Sequence, residues 1–140
     1  MLLSGDIISL DLGKSRTGVA RISTFAGIAE PLSLIQMTTD DLYSRVEKLV
    51  KEHSAVAVCV GLPRGLDGQD TEQTLWSSAI FQQLQSELDV PMFQIDEAGT
   101  SKRAEEIRRP DQSIDSVAAG IIAEDFLREI QLGRVADVSV

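Results

Sequence analysis

At 140 residues the chain suits one domain, residues 1–140, and is long enough to bury a sizeable core. Hydrophobic residues at 43% and charged residues at 25% are the balance of a soluble globular protein, and apolar stretches such as residues 55–62 are far too short to span a bilayer, so no membrane partner is expected. The formal charge of −9 argues against a protein that grips nucleic acid over its whole surface, while leaving room for a local site.

The N-terminus has no basic segment followed by an apolar one, so no signal peptide is expected. Cys59 is the only cysteine and cannot form an internal disulfide, which fits a reducing cytoplasm. Composition leaves monomer and homodimer equally open.

Residues 7–11 (Ile-Ile-Ser-Leu-Asp) read as a strand stopped by Gly13, and residues 17–23 and 32–36 as two more, joined by short links through Gly27 and Pro31. Three successive strands of this kind predict an antiparallel meander. Leu42, Val46, Leu49 and Val50 then follow helical spacing, with Thr39 or Asp40 as the cap. Residues 55–60 (Ala-Val-Ala-Val-Cys-Val) are apolar on both faces, as a central parallel strand should be. Residues 61–70, with three glycines and a proline, predict a loop, and residues 71–88 a helix with Trp76, Ile80, Leu84 and Leu88 four apart. A fifth strand is predicted over 92–96, a short helix over 100–108 ending before Pro110, and a last helix over 113–129. The fold class is therefore α/β: a three-strand antiparallel meander plus parallel strands in one mixed sheet, with helices on both faces.

Three acidic positions stand out. Asp11 ends the first strand on the same face as Ile7 and Ser9, and opens an Asp11-Leu-Gly-Lys-Ser-Arg-Thr-Gly18 turn where Lys14 and Arg16 could meet phosphate. Asp96 and Glu97 end the fifth strand on opposite faces, and the residues alone do not say which faces Asp11. Asp115 begins the helical stripe of Ala118, Ala119, Ile122 and Phe126, so a charge sits where the helix should pack on the sheet. The alternative is an acidic residue placed in the first turn by the helix dipole, which the buried stripe makes the lesser reading. Carboxylates converging without a basic partner would repel one another, and a divalent cation would relieve that repulsion.

These residues, taken together, resemble the YqgF family, also called RuvX, of Holliday-junction resolvases and ribosomal-RNA precursor nucleases. The opening motif is matched by Asp11, Gly13, Arg16 and Gly18, followed by Val19 and Ala20. The glycine-leucine-proline loop is matched by Val60-Gly-Leu-Pro63 and Asp67-Gly68. Asp96-Glu97, Thr100 and Ala104-Glu105 match the third motif in part, and Asp115-Ser-Val-Ala-Ala119 matches the last. Four matches in order span nearly the whole chain. The resemblance implies a ribonuclease-H-like fold and a catalytic site that binds Mg²⁺ or Mn²⁺ through Asp11, Glu97 and Asp115; it selects Glu97 over Asp96 by analogy. The chain departs from the family at Ala98, where arginine is usual, and at Gln112, where lysine commonly stands; the segment between Glu105 and Asp115 is also shorter.

The expected activity is metal-assisted hydrolysis of RNA or branched DNA, with two ions about 4 Å apart activating water and stabilising the leaving oxygen. Arg64, Lys102 and Arg103 join Lys14 and Arg16 as expected substrate contacts, with Arg108 and Arg109 close behind. His53 is expected to end a helix, Cys59 to lie in the core, and Trp76 and Phe81 to pack. A kinase of the acetate-and-sugar type needs two such domains, and this length supplies one. A non-catalytic interaction module with weakened nucleic-acid binding is the standing alternative.

Overall fold

The computed structural model describes residues 3–65, 67–97, 104, 106–107, 109–110 and 113–133. The elements run β1 (Asp6–Asp11), β2 (Arg16–Ser23), β3 (Ala29–Pro31), β4 (Ile35–Gln36), α1 (Leu42–Glu52), β5 (Ala57–Pro63), α2 (Glu72–Glu87), β6 (Met92–Glu97) and α3 (Ile114–Gln131). Among the described residues the strands make one sheet in the order β3-β2-β1-β5-β6, with β4 pairing separately to β2. β1, β2 and β3 pair antiparallel, while β5 and β6 run parallel to β1 and to each other.

Strand alternation divides the core into two layers. Ile8, Leu10, Val58 and Val60 point to one side and pack with Val46 of α1 and Phe81 and Leu84 of α2. Ile7, Ala57 and Cys59 point to the other and pack with Ile122, Ala123, Phe126 and Leu127 of α3. Phe126 stacks at a tilt on Phe93, with ring centroids 5.1 Å apart. The central strands β1 and β5 are buried on both faces, which is why they read as continuous apolar runs.

Several sequence expectations need correction. The third meander strand is two short pieces, β3 and β4, rather than one strand over 32–36; both pair with β2. β5 continues through Gly61-Leu62-Pro63, so the loop begins later than its glycine suggests: Gly61 pairs with Ile95 and Pro63 with Glu97. The cap of α1 is Asp41, which accepts from the Ser44 amide, while Asp40 accepts from the Gln36 amide and holds Arg45. Ala118 lies with Ala104, Val117 and Ile121 on a separate side of α3, away from the sheet-facing stripe. The helix predicted over 100–108 falls mostly outside the described residues.

As expected, His53 is the C-cap of α1, Cys59 and Phe81 are buried, and Trp76 packs against the core. Burial, with a smaller push from Glu97, raises the Cys59 thiol to about 12, so it is an inert core group.

Candidate active site

β1 and α3 run antiparallel and stay in step, because two strand residues rise about 6.6 Å and four helix residues about 6 Å. Ile7 packs among Ile122, Ala123 and Phe126. One step on, the Ser9 hydroxyl donates to the Ala119 carbonyl at 2.6 Å, a buried bond that fixes the helix on the strand. The next step brings Asp11 toward Asp115, close enough for the second charge to act on the first: burial and then Asp115 push the Asp11 carboxyl up to about 7.

The opening motif explains this approach. Gly18 stands across the ladder from Asp11. A Cβ on Gly18 would lie 1.9 Å from the Asp115 carbonyl oxygen, so glycine alone admits the first turn of α3. Arg16, two residues earlier on the same face of β2, sets its Nε 3.0 Å from Asp115 Oδ2. Gly13 lets the turn fold under the Arg16 carbonyl, 2.3 Å from where its Cβ would be. The start of α3 is further held by Ser113, which accepts from the Asp115 and Ser116 amides, and by Ser116, which donates to Leu32 O at 3.0 Å.

Glu97 approaches from the opposite side of β5. Phe93 and Ile95 pack in the α3-side cluster, so alternation puts Glu97 on that side and Asp96 on the other. Glu97 is 9% exposed, and its Cγ lies 3.6 Å from the point a Gly61 Cβ would occupy. That same Cβ would meet Ile122 Cδ1 at 2.4 Å, so Gly61 leaves room for both the helix and the glutamate. Asp96 is exposed and holds Arg64 Nε at 3.4 Å. Asp11, Glu97 and Asp115 therefore stand at strand and helix ends on one side of the sheet.

This donor set fits a hard divalent cation: all three groups offer carboxylate oxygens, and Asp11 is held where its own ionisation is disfavoured. Among the described residues, no three acidic, histidine or cysteine side chains are gathered tightly enough to hold an ion as they stand.

The other sequence candidates fare differently. Lys14 is exposed at the tip of the turn. Arg64 is engaged by Asp70 and Asp96. Lys102, Arg103 and Arg108 lie outside the described residues. The expectation that the carboxylates lack a basic partner is overturned, since Arg16 serves Asp115; sequence reasoning missed this pair because it joins positions 99 apart. The available signal was that Arg16 and Gly18 share a strand face. Also unforeseen are Ser9 as a buttress and an open groove of about 640 Å³ beside the α3 N-terminus, lined by residues including Glu30, Leu32, Arg109 and Ser113.

Known proteins share this fold and much of this sequence. The family described as RuvX, Holliday junction resolvase, matches residues 5–129. A Thiobacillus denitrificans protein named "Putative pre-16S rRNA nuclease" is 35% identical over 131 residues, covering 87% of this chain and 90% of its own. A protein of the same name from Alcanivorax borkumensis is 33% identical over 124 residues, covering 86% and 93%. Among solved structures, Thermus thermophilus RuvC in complex with a Holliday junction substrate superposes with a TM-score of 0.64 at 15% identity, over 92% of this chain and 97% of that one. The sheet order and the packing of the described helices are thus those of a ribonuclease-H-like fold, and with a family match running from β1 almost to the end of α3, the chain belongs to the RuvX family.

Proposed function

We propose that this chain is a divalent-metal-dependent nuclease that hydrolyses phosphodiester bonds, with Asp11, Glu97 and Asp115 as its catalytic and metal-binding carboxylates. The observation that carries the reading is the Asp11–Asp115 approach: two carboxylates are brought together at a glycine-made contact, at a cost to the ionisation of Asp11. A cation is what such an arrangement favours. The names of its relatives support precursor 16S ribosomal RNA as substrate, and the family description supports a four-way DNA junction as the other candidate.

When bound, Mg²⁺ or Mn²⁺ supplies an activated water and stabilises charge on the leaving oxygen. The chain's own part is placement. Asp11 and Glu97 flank Gly61 from β1 and β6, Asp115 closes from α3, and Arg16 holds Asp115. Lys14, Lys102 and Arg103 are proposed to contact phosphate; Arg64 joins them only by exchanging Asp70 and Asp96. Residues 1–140 act as one domain, as a monomer or homodimer, in the cytoplasm; no described helix is long and apolar enough to cross a membrane. A second reading, a non-catalytic module, draws on the net charge of −9 and on Ala98 and Gln112.

Cleavage of precursor ribosomal RNA, single-stranded RNA and four-way DNA junctions, with Mg²⁺ and with Mn²⁺, separates these readings. Asp11→Asn, Glu97→Gln and Asp115→Asn should each reduce cleavage by orders of magnitude, since each removes several kcal/mol of transition-state stabilisation. Asp96→Asn should still cut. Wild-type rates in Asp11→Asn would end the metal-nuclease reading.

A further inference from the structure

Arg16 reads in the sequence as a phosphate contact, yet its guanidinium already has a partner inside the protein. Arg16 and Gly18 share one face of β2, and α3 packs on that face. Gly18 receives the main chain of Asp115, and Arg16, one pleat away, reaches the carboxylate of the same residue: Nε to Oδ2, 3.0 Å. The contact is half-open, with the Arg16 side chain 56% exposed and that of Asp115 30% exposed. Asp11 lies across the ladder from Gly18 and feels the charge of Asp115, so the cation holds one of two carboxylates that act on each other.

We infer that Arg16 is a placeholder cation, giving Asp115 in the metal-free protein the positive charge that a divalent ion gives it in the working enzyme. The inference rests on the reading of Asp11, Glu97 and Asp115 as the metal-binding set. One charge then has two opposite effects. Without metal, it offsets the repulsion between Asp11 and Asp115 and steadies the start of α3. With metal, it repels the incoming ion and competes for an oxygen of Asp115. A purely structural arginine would weaken both states when removed, and a pure substrate contact would alter neither. The sign split between the two states distinguishes a placeholder from both. The half-open contact also suits exchange, because an exposed ion pair is weakly held and readily screened.

The test measures Mn²⁺ affinity by the electron paramagnetic resonance signal of free Mn²⁺, together with melts in EDTA. The proteins are wild type, Arg16→Gln, Arg16→Lys, Lys14→Gln, Asp11→Asn, Asp115→Asn and the Arg16→Gln/Asp115→Asn double variant. Arg16→Gln should bind Mn²⁺ roughly 3–10-fold more tightly and melt several degrees lower in EDTA. Arg16→Lys keeps the charge and should stay near wild type in both. Lys14→Gln removes the same charge from the same turn, but away from Asp115, and should shift Mn²⁺ affinity less than about twofold. On an Asp115→Asn background, the EDTA penalty of Arg16→Gln should vanish, which separates loss of the pair from general misfolding. Unchanged or weaker Mn²⁺ binding by Arg16→Gln, or an unchanged melt in EDTA, overturns the inference. If Mn²⁺ binds wild type and is lost in Asp11→Asn while Arg16→Gln binds like wild type, only the placeholder falls; if wild type binds no Mn²⁺, the metal-site reading falls with it.

Discussion

Asp11→Asn removes one negative charge from beside Asp115 while keeping the size and planarity of the side chain, and its effect on stability can be worked from the site. Burial and then Asp115 raise the Asp11 carboxyl from 3.8 to about 7. At about 1.4 kcal/mol per pH unit, carrying that charge in the folded protein costs at most about 4 kcal/mol, and screening at a half-buried site reduces this to about 2–3 kcal/mol. The folded value lies above the unfolded one, so between about pH 4 and about pH 7 the folded protein holds a proton that the unfolded chain has lost. Stability from this group is whole below that interval and falls as pH rises through it.

Asn never ionises, so the variant's advantage in EDTA should be near zero at about pH 4, grow through the interval, and level off above about pH 7. For a domain of this size the plateau is on the order of 5–10 °C in melting temperature. Metal closes the gap: Mn²⁺ at about 100 times its Kd stabilises wild type by about 2.7 kcal/mol, enough to cancel the advantage. Matched melts by circular dichroism across the interval, in EDTA and in Mn²⁺, decide it. A variant less stable than wild type in EDTA at about pH 8, or an advantage that does not change with pH, would refute the clustering of Asp11 with Asp115.

Gly18→Ala is a test of sign. Strand propensity alone favours alanine by about 0.5–1 kcal/mol, whereas the clash with the Asp115 carbonyl predicts a loss of 1–3 kcal/mol or more together with cleavage, read by urea melts and by rate. Neutralising Lys102 and Arg103 together should weaken nucleic-acid binding across sequences and flatten the slope of log affinity against log salt by up to about 2. An unchanged slope would show that these two do not meet phosphate.

What the sequence made legible follows from local periodicity. The alternation in β1 placed Asp11 with Ile7 and Ser9, and the α3 stripe of Ala119, Ile122 and Phe126 faces the sheet as its spacing required. The misread positions are those whose reason lies elsewhere in the chain. Gly61 looked like the start of a loop, but it is a strand residue whose missing side chain makes space for Ile122. The choice between Asp96 and Glu97 needed a sheet partner and a helix to define the inner face. Arg16 and Asp115 could be paired only once β2 and α3 were packed together. Candidate carboxylates were therefore readable as residues, while the contacts that set their charge were not.

The acidic composition, which counted against a nucleic-acid substrate, takes on a different meaning once the cations are traced. Among the described residues, Arg21 pairs with Asp6 and Glu30, Arg45 with Asp40, Arg64 with Asp70 and Asp96, Arg128 with Asp125, and Lys48 and Lys51 with glutamates on their own helix. Arg16 is taken by Asp115. Lys14 is exposed and stands in the turn that follows Asp11. The described fold therefore offers little basic surface for a duplex to settle on, and loose electrostatic binding away from the site is disfavoured. The attraction proposed is local: Lys14 in the turn after Asp11, Lys102 and Arg103 in the sequence after Glu97, and the divalent ion proposed for the carboxylates. A nuclease built in this way selects against polyanions that cannot bring a phosphate to the ion, since elsewhere they meet a net charge of −9. Its affinity for substrate should then depend on metal occupancy far more than that of a protein whose grip comes from a basic face.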